Sequence, residues 1–143
     1  PYGQRYPETQ RLFLKFEEEA MNKIDYGIAK NVLVDTTGSV IYLSPSALQR
    51  LKENTIIVYL EATEEVKKML FERYIFNPKP VIWGGSFNKL GSETDLEALK
   101  RCYPQLLEFR AARYKQLADI TIPHQVLRDT SGRQFLEEVR KRL

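Results

Sequence analysis

The apolar positions change period several times along this chain, and each change marks an element. Residues 8–26 place Leu12, Phe13, Phe16, Ala20, Met21 and Ile24 at helical spacing, with Gly27 after them as a stop. This predicts a helix with one buried face. Val32, Leu33 and Val34 form a β-branched run without alternation, as expected of a strand covered on both faces. A short helix over Ser46–Lys52 and a second apolar strand over Thr55–Leu60 follow. Thr63, ahead of Glu64 and Glu65, is an N-cap with acids in the first turn, opening a helix to about Tyr74.

Regular periodicity fails over 76–91, FNPKPVIWGGSFNKLG, where prolines and glycines alternate with aromatics; this predicts a lid-like loop. Its aromatics, with Tyr74, Phe76, Trp83 and Phe87 foremost, form either an apolar contact surface or a cover for the core. Ser92–Asp95 starts a helix to about Leu117, bent or interrupted at Pro104. Asp119–Pro123 is a third short strand, and Ser131 with Gln134 has the form of a capping box before an amphipathic last helix. Strands alternating with helices predict an α/β fold, a parallel sheet with helices on both faces, in which ligands bind beyond the carboxyl ends of the strands. Asp35, Thr36, Thr37 and Gly38 fall at such an end.

Length and composition narrow this picture. The chain has 143 residues, 43% hydrophobic and 29% charged, which suits one domain, 1–143, with a real core. No apolar run approaches a membrane span, so a cytoplasmic protein without a membrane partner is expected. A single cysteine and a single histidine exclude an internal disulfide and a cysteine/histidine metal cluster. Nothing in the sequence brings Cys102 and His124 together as nucleophile and base. The net charge of +3 favours anionic partners. Lysines and arginines are interspersed with acids, as in Glu64, Glu65, Lys67 and Lys68, rather than gathered into an aromatic-laced stripe, which argues against nucleic acid.

Several stretches carry a resemblance. LLEFRAARYKQLADITI, residues 106–122, is similar to the substrate-arginine helix and last strand of shikimate kinases, with Arg110, Tyr114, Ala118 and Asp119 at the matching places. IIVYLEAT resembles the family's fourth strand, and Lys79-Pro80-Val81-Ile82 stands where its lid carries Arg-Pro and two leucines. VLVDTTGSV resembles its third strand and glycine-rich substrate loop. The resemblance implies a P-loop kinase-like sheet of the shikimate/nucleoside-monophosphate kinase type. It also implies ATP-dependent phosphoryl transfer to a hydroxyl of a small anionic substrate, with ATP and Mg²⁺ as cofactors. Asp35 would hold the metal, Lys79 would neutralise the transferring phosphoryl group and contact the nucleotide, and Gly38 and Arg110 would bind the substrate. Read alone, these same residues are a turn aspartate, a solvated lysine, a turn glycine and a helix-surface arginine.

The chain departs from that family in ways that bear on activity. It has no GxxxxGK[ST] run to cradle phosphates; Trp83-Gly84-Gly85-Ser86 is glycine-rich but follows no strand and lacks the lysine. Lysine at 79 cannot make arginine's bidentate phosphate contact, and beside Phe13 stand Leu14 and Lys15 in place of the family's arginine. The family's phosphate-loop strand lies between its third and fourth strands. A sheet of this kind therefore needs a βαβ unit of roughly 30 or more residues, supplied by a preceding segment or by another chain. Failing that, the remaining strands must pair directly. The expectation is a kinase-like domain inactive as this chain alone; its alternative is a non-catalytic domain that binds an anionic ligand or a protein partner.

Overall fold

The structure is a computed structural model, and it describes residues 1, 3–27, 32–127 and 130–143. Among these the order is helix α1 (Tyr6–Asn22), a 3₁₀ turn (Val40–Tyr42), α2 (Pro45–Asn54), strand β1 (Val58–Glu61), α3 (Glu64–Phe76), α4 (Asp95–Leu117), β2 (Ile120–Pro123), a 3₁₀ turn (His124–Leu127) and α5 (Gly132–Arg140). The fold is α/β, with a small parallel sheet of two strands. No described helix is long and apolar enough to cross a membrane.

Caps fix the helix starts. Ser44 accepts from the Ala47 amide with Pro45 at the first helical position, and Thr63 accepts from Val66. Reciprocal capping boxes, Thr94 with Glu97 and Ser131 with Gln134, open α4 and α5. Helix α4 runs through Pro104 as one element, losing only the amide bond that proline cannot donate. In the sheet, Val58 pairs with Ile120 and Leu60 with Ile122. Asp119 closes the start of the ladder: its amide donates to the Ile57 carbonyl at 2.9 Å, and its carboxylate accepts from the Ile57 amide at 2.8 Å.

Two buried clusters form the core. One joins Tyr74, Trp83, Leu99, Cys102, Tyr103 and Leu106. Its rings are close-packed: Tyr74 stacks on Tyr103 at 4.1 Å, and Trp83 meets Phe87 edge-on at 5.2 Å. The other joins Val40, Ile41, Leu43, Ala47 and Leu51, with Leu14, Met21, Tyr114 and Leu117 packed against it.

Two expectations are corrected and one open alternative is decided. Val32–Val34 is not a strand: no described segment lies beside it to share backbone hydrogen bonds, and Leu33 is 82% exposed. The expected buried stripe of the first helix also fails, because Phe13 and Phe16 are exposed and α1 has no fully buried residue. The helix instead turns Tyr6, Gln10, Leu14, Glu17 and Met21 inward, a stripe whose polar members bond the loops beneath it. Of the two readings of the aromatics around 76–91, cover for the core holds: Trp83 is 1% exposed and Phe87 packs against that cluster, while Phe76 alone of the named aromatics is fully open. Prolines and glycines prevented regular structure there without preventing burial.

Candidate functional site

Helix α4 presents Arg110 and Tyr114 one turn apart, and both reach the 37–39 turn. The Tyr114 hydroxyl donates to the Gly38 carbonyl at 2.5 Å. A Cβ on Gly38 would stand 3.0 Å from Arg110 Nη1 and 3.1 Å from the Tyr114 hydroxyl, so glycine is what lets the turn lie against these two side chains. Burial pushes the Tyr114 phenol above its ordinary value, the Arg110 charge partly opposing it, so the hydroxyl stays a donor to Gly38.

Arg110 also fixes the other wall. Its Nη2 donates to the Ile82 carbonyl at 2.6 Å, and its guanidinium lies 5.8 Å from the centre of the Tyr42 ring. Its Nε is buried without a hydrogen-bond partner. Among the described residues no carboxylate lies within ion-pair distance of it. Arg110 as a whole is half-buried, so it is the inner edge of its guanidinium that lacks a partner.

The remaining walls are set by α1. The Tyr6 hydroxyl donates to Gln10 Oε1 at 2.6 Å and accepts from the Trp83 amide at 2.7 Å, and Gln10 Oε1 accepts from the amides of Trp83 and Gly84 at 3.0 and 3.1 Å. Gly84 has φ +55° and approaches the Tyr42 ring so closely that a Cβ would overlap it. Two turns further along α1, Glu17 accepts from the hydroxyls of Thr37 and Ser39, the latter at 2.6 Å. Glu18 accepts from Ser44 through its amide at 2.9 Å and its hydroxyl at 2.6 Å, bonds that hold the Glu18 carboxyl below its ordinary range. Two successive glutamates thus staple residues 37–44 to the helix.

Between these walls lies a cleft of about 440 Å³. Gly38, Lys79, Val81, Ile82 and Arg110 line it together with Phe13. Three of the four residues singled out in the sequence, Gly38, Lys79 and Arg110, therefore share one cavity. Asp35 does not join them: it is exposed and lines neither this cleft nor the larger one on the other side of the 37–39 turn. Among the described residues no group of histidine, cysteine or acidic side chains is arranged to hold a metal ion. Cys102 is buried with its thiol toward the Asn88 carbonyl at 3.4 Å, and His124 begins the 3₁₀ turn after β2.

Tyr6, Gln10, Glu17 and Glu18 are the site residues that sequence reasoning missed. The acidic run Glu17–Glu19 beside an apolar stripe was their one visible signal. No protein-family model, curated protein or solved structure matches this chain.

Proposed function

We propose that the cleft between Gly38, Lys79 and Arg110 binds a small anionic ligand, a carboxylate or phosphate ester, gripped by Arg110. One observation carries the reading: the cleft is lined by Arg110 and Lys79 and by no aspartate or glutamate, while Arg110 has no carboxylate partner among the described residues. A half-buried guanidinium is stabilised by an opposite charge, and the unpartnered Nε adds a donor. The apolar side chains of Val81 and Ile82 beside that contact lower the local polarity and strengthen it.

Titration with phosphate, acetate and a cyclic hydroxy acid, read by thermal shift and amide NMR, tests this. The wild-type chain gains melting temperature and shows shifts at Gly38 and Ile82, and Arg110→Met loses both. An equal response of wild type and Arg110→Met rejects the reading.

A second reading goes further. Lys79 in the same cavity as Gly38 and Arg110 is the arrangement that the shikimate kinase-like resemblance implies for phosphoryl transfer to an acceptor hydroxyl, with charge neutralisation by lysine. ATP and Mg²⁺ would then be held by a phosphate loop outside these 143 residues, and this chain alone would not turn over ATP. Asp35, which does not line the cleft, speaks for the binding-only form. ATP consumption with a panel of hydroxy acids, in the chain alone and in the full product of its gene, separates the two readings.

A further inference from the structure

The larger cleft, of about 870 Å³, lies on the other side of the 37–39 turn, between residues 32–34, the approach to β1 and α5. It collects an unusual share of the exposed apolar surface: Val32, Leu33, Ile56, Leu60 and Leu136 all line it, each more than two-fifths exposed. Its one charged lining residue is Glu53, at the end where β1 begins.

Among the described residues nothing pairs with the strand beside it on that side. In a parallel ladder the N–H and C=O of one residue point to the same side of the strand, and those of the next residue to the other. The Ile57 carbonyl accepts from Asp119 and Ile120, so Ile57, Tyr59 and Glu61 turn their backbone groups to β2. Val58 and Leu60 turn theirs away from β2, and both residues line the cleft. Among the described residues β1 has no second neighbouring strand. An unpaired edge flanked by facing apolar walls is complementary to one kind of occupant.

We infer that this cleft seats an apolar β-strand from a partner polypeptide, laid along β1 and hydrogen-bonded to the backbone of Val58 and Leu60. Alternate side chains of that strand contact Val32 and Leu33 on one wall and Leu136 of α5 on the other. A lysine or arginine at its end beside the start of β1 meets Glu53. Added as a neighbour of β1, it makes a three-stranded sheet. The inference stands independently of the anion cleft, since no backbone group of β1 lines that cavity.

The probe is the peptide Ac-Lys-Val-Ile-Val-Ile-Gly-Lys-NH₂, added to the ¹⁵N-labelled chain with amide exchange as the readout. Exchange at Val58 and Leu60 slows about tenfold or more, while Tyr59 and Glu61, already turned to β2, are unchanged. Leu60→Pro removes one donor from the free edge and leaves the β2-facing groups intact, as proline is tolerated on the open side of an edge strand. It abolishes the protection of Val58. Should Leu60→Pro fail to fold, Leu33→Asp serves: the residue is 82% exposed, so the fold does not depend on it, and peptide affinity drops about tenfold. The inference is overturned if the peptide leaves Val58 and Leu60 unprotected, or if a scrambled polar peptide protects them equally. It is also overturned if those amides gain protection with protein concentration alone and the sedimenting mass doubles, for the occupant is then a second copy of this chain.

Discussion

Two irregular segments of this molecule have opposite fates. Residues 77–94 contain prolines and glycines and form no helix or strand, yet they bury Trp83, are bonded by Tyr6, Gln10 and Arg110, and complete the aromatic core. Residues 32–34 have the composition of a buried strand and leave Leu33 in solvent. Composition states what a segment would gain from burial. A partner surface decides whether the gain is realised: α3 and α4 offer the first segment an aromatic surface and α1 offers it hydrogen-bond acceptors, whereas β1 stands away from the second.

The sharpest way to break this comparison is Trp83→Ala. Removing a ring that touches Tyr74, Phe87 and Tyr103 empties the centre of the larger cluster and costs about 3–5 kcal/mol, read as a lower denaturant midpoint. A loss below about 1 kcal/mol, the range of surface substitutions, would show that residues 77–94 drape over the core without belonging to it.

The second test is pH. Glu93 holds Arg101 in a bidentate pair, Oε1 to Nε at 2.6 Å and Oε2 to Nη2 at 2.7 Å, and Arg101 Nη2 also donates to the Asn88 carbonyl at 2.5 Å. The arginine's hydrogen bonds, with the Leu90 amide after them, bring the Glu93 carboxyl from its ordinary 4.5 down to about 2. A carboxyl lowered in the folded state contributes stability that is present above its ordinary value and lost as pH falls toward the lowered one. Stability therefore declines between about pH 4.5 and 2 by a component that Glu93→Gln removes, measured by denaturant melts across that range. Identical pH profiles for the two proteins would detach this pair from the anchoring of the segment.

What could be read in the sequence follows the same division. Caps at Thr63, Ser131 and Gln134 were legible because they are decided within four residues. The strands at 58–61 and 120–123 were legible as apolar runs. The contacts of Tyr6 and Gln10 with Trp83 span more than 70 positions, and a helical period marks apolar faces, not polar residues that turn inward to bond a loop. The stripe of α1 was misread for that reason. A β-branched run such as 32–34 forms a strand only where a neighbour pairs with it, and the described residues supply none.

The smallest expected effect is the most informative for the open side. Leu33→Ser changes the stability of the isolated chain by less than about 0.5 kcal/mol, since a side chain 82% exposed has little burial to lose. Thermal melts of the two proteins should superimpose, in contrast to Trp83→Ala. A destabilisation of about 1.5 kcal/mol or more, the scale of a buried leucine, would mean that Val32–Val34 already packs against something in the chain alone. The cleft beside β1 would then be closed in solution. The same substitution thus asks, without any added partner, whether the apolar surface there is available to one.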